Sequence, residues 1–353
     1  MTSSTHFMRD ILRQPAELQR TISHLTGAGR VSLLEAAGMI QRAREVFVTG
    51  IGASWHAALG AGTLFSLHGR PVYTVEAGEL LHFTSIPSKA VVIAISRTGR
   101  SIEIVQLLST IRASGASLIG ITNSPESPLA TEAEASIVIP VVLDYAISVN
   151  TYSTLALAAG VLADFASGDV DALDFSLLSR ALTEVETRLQ GWREQIKATT
   201  WLEPQRPYYF LARGPSLASC HQSRLLWEEG AKSPATAMNT SGFRHGPQET
   251  VRAGMRFGIF IDPLKMRAQD LAVADDLRSL GASVMLIGQR IPEGNGHLVF
   301  QLPELPPNWQ FAVDIIPAQL AAEQLARLAG VDCDSFRVCS YIVEDEHGLL
   351  KKP

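Results

Sequence analysis

Two short loops carry residue types suited to holding a phosphate. In Ile95-Ser96-Arg97-Thr98-Gly99-Arg100-Ser101 an apolar run ends and a helical pattern begins. Ser96, Thr98 and Ser101 offer hydroxyl donors, Gly99 admits close approach of backbone, and the unpaired N–H groups of a helix start point at whatever binds there. Gly50-Ile51-Gly52-Ala53-Ser54 is a second strand-to-helix loop, with Ser54 as donor. Where two strand C-termini lie side by side, the crevice outside them is the usual ligand site. A serine at a helix start also serves as an N-cap, so each loop alone admits both readings. GIGASW is not a dinucleotide fingerprint, because Trp55 occupies its third glycine position, and neither loop ends in the GK[ST] of a P-loop. Nicotinamide and nucleoside-triphosphate enzymes are thereby disfavoured.

The elements that must position these loops follow a regular order. An N-terminal helical segment (residues 1–44) precedes a strand at Glu45–Thr49, the GIGAS loop and a helix over Trp55–His68. Strands are expected at Val72–Val75, Ala90–Ile95, Ser117–Ile121 and Ser136–Val142, with a helix over Ile102–Ser114. Apolar strands alternating with helices, without period-2 alternation, indicate a parallel sheet covered on both faces. A helical connector spans 169–200, and then the pattern repeats. Tyr208–Ala212 leads into RGPS as VFVT leads into GIGAS; Phe257–Ile261, Ser283–Ile287 and His297–Leu302 answer the later strands at an offset of about 160–166 residues. The expected fold is therefore α/β, two doubly wound halves at 45–168 and 201–330, each with a mainly parallel sheet flanked by helices. A last helix is expected over Trp309–Ala329, and a polar tail follows at 331–353.

Composition narrows the class. The 353 residues are 46% hydrophobic and 18% charged, against roughly 25% charged in average globular chains, which excludes intrinsic disorder. A net charge of −5 gives no general attraction to nucleic acid or anionic membrane, so an anion site must be local. Cys220, Cys333 and Cys339 form no framework or CxxC pair, as in a reducing compartment. The opening MTSSTHFMRDILRQ lacks an apolar signal core, and the longest apolar stretches are shorter than a membrane span. A cytoplasmic protein is expected. His56, His82 and His221 show neither HExxH nor Cys/His spacing, so no metal and no cofactor is expected.

An ordered set of motifs resembles the sugar isomerase (SIS) fold, and within it the isomerase half of glucosamine-6-phosphate synthase and its stand-alone relatives. The last eight positions of the synthase-like pattern M-x-x-E-I-x-x-Q-P fall on Met8 to Pro15, C-G-T-S-Y-H-A falls on Ile51 to Ala57 after Gly50, and S-Q-S-G-E-T falls on Ser96 to Ser101. I-x-N-x-x-x-S-x-L-A is Ile121 to Ala130, L-G-R-G is Leu211 to Gly214, and a segment ending in E-L-K-H-G-P is Gly242 to Pro247. The resemblance implies that Ser54, Ser96, Thr98 and Ser101 hold the phosphate of a sugar 6-phosphate, with close backbone contacts from Gly52 and Gly99. Arg97 and Arg100 replace the family's Gln and Glu; contact with the phosphate or substrate, or plain solvation, is open for each. The resemblance further implies a homodimer with sites at the subunit boundary.

Interconverting a 2-amino aldose and a 2-ketose moves a proton between C1 and C2. A partly buried carboxylate suits that task, and a histidine suits ring opening. Counted from RG and from HGP without a gap, the resemblance places the family's catalytic glutamate on Glu229 and its ring-opening histidine on His245. Glu79 falls where relatives carry an acidic residue, and a structural role is favoured for it.

Three departures shape the expected activity. No glutaminase domain is read in this sequence, so full synthase activity is not expected. The tail lysine that forms an imine with the open-chain ketose has become Tyr341, and a second lysine of the synthase site is Leu226. A site with the glutamate and histidine but no such lysine fits a deaminase or a deglycase acting on an amino sugar or ketosamine 6-phosphate, because the departing nitrogen itself supplies the imine. The alternatives are an aldose–ketose phosphosugar isomerase and a non-catalytic phosphosugar sensor. The segment before the first strand lacks a basic recognition helix, against a DNA-binding regulator.

Overall fold

The computed structural model describes residues 4–168, 174–346, 348 and 349. In chain order the elements are α1 (His6–Thr26), α2 (Arg30–Arg42), β1 (Val46–Thr49), α3 (Ala53–Leu67), β2 (Tyr73–Thr74), α4 (Ala77–Phe83), β3 (Val91–Ser96), α5 (Ile102–Ser114), β4 (Ser117–Thr122), α6 (Pro128–Glu132), β5 (Ala135–Val138) and α7 (Asn150–Ala166). There follow α8 (Ser176–Ala198), β6 (Tyr208–Ala212), α9 (Leu217–Glu229), β7 (Ala235–Asn239), α10 (Thr240–Phe243), β8 (Arg256–Phe260), α11 (Arg267–Ser279), β9 (Ser283–Gly288), β10 (Leu298–Gln301) and α12 (Ile315–Ala329).

The chain divides into two units whose bounds differ from a simple cut into halves. One holds Ala16–Phe175 with Phe336–Pro353; the other holds Met1–Pro15 with Ser176–Ser335. The connector helix α8 thus belongs to the second unit, and residues 169–173 of the expected connector lie outside the described residues.

In the first unit a five-stranded parallel sheet runs in the order β2-β1-β3-β4-β5. Every residue of β1 and β3 is buried, as helices on both faces require. Val92, Ala94, Ile104, Leu107 and Leu108 pack α5 onto the sheet. All 17 residues of α7 are buried, which explains the long apolar run seen in sequence there. The start of α7 is held by Asp144, whose carboxylate accepts from the backbone N–H of Val149, Asn150 and Thr151 at 2.8–3.1 Å.

The second unit repeats that topology, with the sheet order β10-β9-β8-β6-β7. Counted from its own first strand, each sheet reads 2-1-3-4-5, so the duplication expected from the sequence is present in the topology. β7 is the strand that the sequence reading missed. Its residues ATAMN are half-buried or exposed and hold one β-branched side chain, so neither apolar pattern nor propensity marks it. Two helices also begin later or break earlier than expected: the N-terminal segment splits at Gly27–Gly29, and α12 starts at Ile315 after a short 3₁₀ turn. The tail residue Asp334 accepts from the N–H groups of His6 and Phe7 at 2.7 and 2.8 Å, capping α1. No helix among the described residues is long and apolar enough to cross a membrane.

Candidate active site

In the first unit β1 and β3 are parallel neighbours, with Thr49 opposite Ala94. Their following loops therefore leave the sheet at the same edge, at the point where the strand order reverses. Both loops run straight into helices whose first turns lack a side-chain cap. The N-cap of α3 is Gly52, at φ +57°, and the N-cap of α5 is Ser101, whose hydroxyl makes no capping bond. Of the other helices of this unit, α4 and α6 are capped, Glu76 accepting from Gly78 and Glu79 and Ser127 from Ala130, whereas α2, which starts after Gly29, has no side-chain cap. Among the described residues the hydroxyls of Ser54 and Ser101 have no hydrogen-bond partner. The N-cap reading of Ser101 therefore fails on geometry, and two hydroxyls remain available at two uncapped helix starts.

The other loop residues divide between shaping and contact. Ser96 is buried, and its Oγ accepts from Gly99 N at 3.0 Å; Thr98 Oγ1 accepts from Arg100 N at 3.3 Å. Each keeps its own O–H for donation. Gly99 stands at φ +60°, and a Cβ there would lie 2.4 Å from Ser127 Oγ and 2.9 Å from Leu129 Cβ. Its requirement for glycine comes from α6 packing as well as from the turn. Gly52, by contrast, faces open space. Arg100 is exposed, and its Nη2 donates to Glu126 O at 3.2 Å. Arg97 is half-buried and engaged with Ser148 and Tyr341. Burial pushes the Glu103 carboxyl in the first turn of α5 upward, with Glu346 and Glu76 adding to the shift.

The second unit's equivalent loop, Arg213-Gly214-Pro215-Ser216, has the same glycine conformation, Gly214 also at φ +57°. Two of its polar groups are bonded to the protein's own carboxylates. Arg213 Nε donates to Asp270 at 2.7 Å, and Ser216 Oγ donates to Asp314 at 2.6 Å.

Glu229 ends α9 in the second unit, half-buried. The helix is anchored by Trp227, fully buried in an aromatic cluster with Trp201, Tyr208 and Phe210, the Phe210 and Trp227 rings 4.7 Å apart. Neighbouring Glu228 is bound to Arg224 at 2.9 Å, a surface ion pair. Lys232, which the sequence reading did not single out, donates from Nζ to Glu229 O and to Ser335 O, the latter at 2.7 Å. It stands at φ +53°, a strained conformation for a lysine. A cation just past a helix end is the signal that marks it. His245 lies exposed after α10, its N–H donating to Gly242 O at 3.0 Å. Glu79 is exposed in the first turn of α4. Among the described residues no group of three or more His, Cys, Asp or Glu side chains could hold a metal ion.

Residues 39–163 match the SIS domain family. Glutamine–fructose-6-phosphate aminotransferase (isomerizing) of Pyrococcus horikoshii is 23% identical over 340 residues, covering 93% of this chain. The chain spans 56% of that relative's length. Glucosamine-6-phosphate deaminase of Thermotoga maritima shares the fold with a TM-score of 0.79 at 22% identity, covering 96% of this chain and 99% of that one. Tagatose-6-phosphate ketose/aldose isomerase of Escherichia coli does so with a TM-score of 0.80 at 19% identity, covering 95% and 96%. Residues 39–163 thus match the SIS domain family, and the chain as a whole shares the fold of these solved structures.

Proposed function

We propose that this chain is a phosphosugar isomerase/deaminase that acts on an amino sugar 6-phosphate or a ketosamine 6-phosphate by proton transfer between C1 and C2. The observation that carries this reading is the pair of adjoining, uncapped helix starts with the unspent hydroxyls of Ser54 and Ser101. A phosphate dianion supplies the acceptors that those donors lack. Ser96, Thr98, Gly52 and Gly99 complete the loops, and Arg97 adds a cation.

Glu229 is the proton carrier in this reading, and His245 the acid/base for ring opening. Loss of a proton from C2 and gain of one at C1 turns the open-chain 2-amino aldose into a 2-imino sugar. Water then adds to C2 and ammonia leaves, giving the 2-ketose. The substrate's nitrogen forms the imine, so Tyr341 in place of a lysine is compatible with the chemistry. We further propose a homodimer, with His245 of the partner subunit completing each site.

Proton and phosphorus NMR of glucosamine 6-phosphate incubated with the protein tests the reading. Formation of fructose 6-phosphate with an equal amount of ammonia supports the deaminase. Conversion of fructose 6-phosphate into an aldose phosphate without ammonia would favour the aldose–ketose alternative. Binding without turnover of either sugar, or of a fructose 6-phosphate-linked amino acid, would favour a sensor.

A further inference from the structure

Two positions at which this chain departs from the synthase-like motifs touch each other. The guanidinium carbon of Arg97 lies 4.1 Å from the centroid of the Tyr341 ring. Arg97 Nη2 donates to Tyr341 O at 3.0 Å, and Nη1 donates to Ser148 Oγ at 3.0 Å. The Tyr341 hydroxyl donates in turn to Asp144 O at 3.4 Å, and Asp144 is the residue that holds the start of α7. Five residues further along the loop, Ile102 N donates to Val343 O at 3.0 Å. The tail segment Tyr341–Val343 therefore runs along the phosphate-type loop and is attached near both of its ends.

The contacts made by Arg97 are all to neutral groups. Its two bonds go to a hydroxyl and a carbonyl, its face rests on an aromatic ring, and among the described residues it has no carboxylate partner. A half-buried guanidinium so arranged is oriented without being neutralised. Donors remain for an anion, and the fixed plane suits two-point contact with a phosphate.

We propose that Tyr341 is a positioning residue for Arg97, and that the two replace the family's lysine and glutamine as a unit, with Arg97 contacting the phosphate of the substrate. This rests on the phosphosugar reading given above. Tyr341 is then no substitute for an imine-forming lysine. It acts on binding through Arg97, because the ring face and the carbonyl together hold the guanidinium beside the loop.

A double-mutant cycle tests the coupling, with fructose 6-phosphate and inorganic phosphate as calorimetric probes. Arg97→Ala should weaken binding of fructose 6-phosphate about tenfold to hundredfold. Tyr341→Leu should weaken it about threefold to thirtyfold, while Tyr341→Phe, which keeps the ring face, recovers most of that loss. In the Arg97→Ala background, Tyr341→Leu should have no further effect, because the group it positions is gone. Amide exchange at Thr98–Ile102 should rise in Tyr341→Leu while β3 stays protected. Full affinity in Tyr341→Leu, or the same loss with and without Arg97, would overturn the positioning role alone. Failure of the wild-type protein to bind either probe would overturn the phosphosugar reading and the proposal with it.

Discussion

The Arg97 guanidinium is stacked 4.1 Å from the Tyr341 ring and bonded to that residue's carbonyl at 3.0 Å. The two residues stand 244 positions apart in sequence, and separately each reads as a lost family residue. In contact they account for one another. A lysine at 341 would set its ammonium against the guanidinium, and a glutamine at 97 would leave the ring face uncovered. These two departures from the motif pattern thus meet in one contact between the loop and the tail.

Ser54 and Ser101 separate binding from stability. Neither hydroxyl is bonded within the described residues, so Ser54→Ala and Ser101→Ala should leave thermal stability within error of wild type. Each should weaken fructose 6-phosphate binding about tenfold, the scale of one hydrogen bond to a charged group. Ser127→Ala is the contrasting variant: it removes the N-cap of α6 and should cost about 1 kcal/mol of stability. Calorimetric binding and urea unfolding of the three variants check the separation.

The two loop glycines should differ in cost. Gly99→Ala adds a Cβ at φ +60° that lies within 3 Å of Ser127 and Leu129, so strain and overlap add, at about 2–4 kcal/mol. Gly52→Ala meets nothing and bears only the strain of its backbone conformation, φ +57° and ψ −128°, at about 1–3 kcal/mol. Urea midpoints that rank the variants in this order support the account; equal midpoints would contradict it.

Asp314 gives the fold a pH dependence of known sign. It is fully buried beside Ser216, and burial pushes its pKa up to about 7. The folded state then keeps a proton that the unfolded state releases above about pH 4. This group's contribution is fully present below about pH 4 and is lost as pH rises to about 7. Asp314→Asn cannot titrate, so the stability difference between about pH 5 and pH 8 should shrink in the variant. Unfolding curves at the two pH values, compared between the two proteins, measure it.

Mixing two inactive variants tests the proposed dimer. Glu229→Gln and His245→Ala should each be inactive alone. If His245 serves the partner subunit's site, subunit exchange creates sites that hold both native residues, and activity should reappear. Two variants that exchange subunits without recovering activity would place both residues in the service of one and the same subunit's site.

Much of this was legible in the sequence where one physical signal dominated. The buried strands β1, β3, β4, β6, β8 and β9 were marked by unbroken apolar runs, and α5 by its 3.6-residue period, so the sheet architecture and the two loops could be placed. β7 was hidden because an edge strand of small and polar residues carries no apolar pattern. Asp144 and Asp334 were hidden for another reason. Their partners are backbone groups several to several hundred residues away, and no spacing rule encodes such a contact. The partnership of Arg97 with Tyr341 belongs to that class. The freedom of Ser101, as opposed to a capping role, is likewise a matter of hydroxyl direction, which residue identity does not specify.

The central claim is that Glu229 moves a proton at the carbon next to the sugar's carbonyl. The direct measurement is proton NMR of glucosamine 6-phosphate in D2O with the wild-type protein and with Glu229→Gln. The account expects the C2 proton signal to disappear with the wild type, as fructose 6-phosphate carrying deuterium at C1 and ammonia appear, and to persist with Glu229→Gln at unchanged affinity for the sugar phosphate. Equal loss of that signal with both proteins would contradict it.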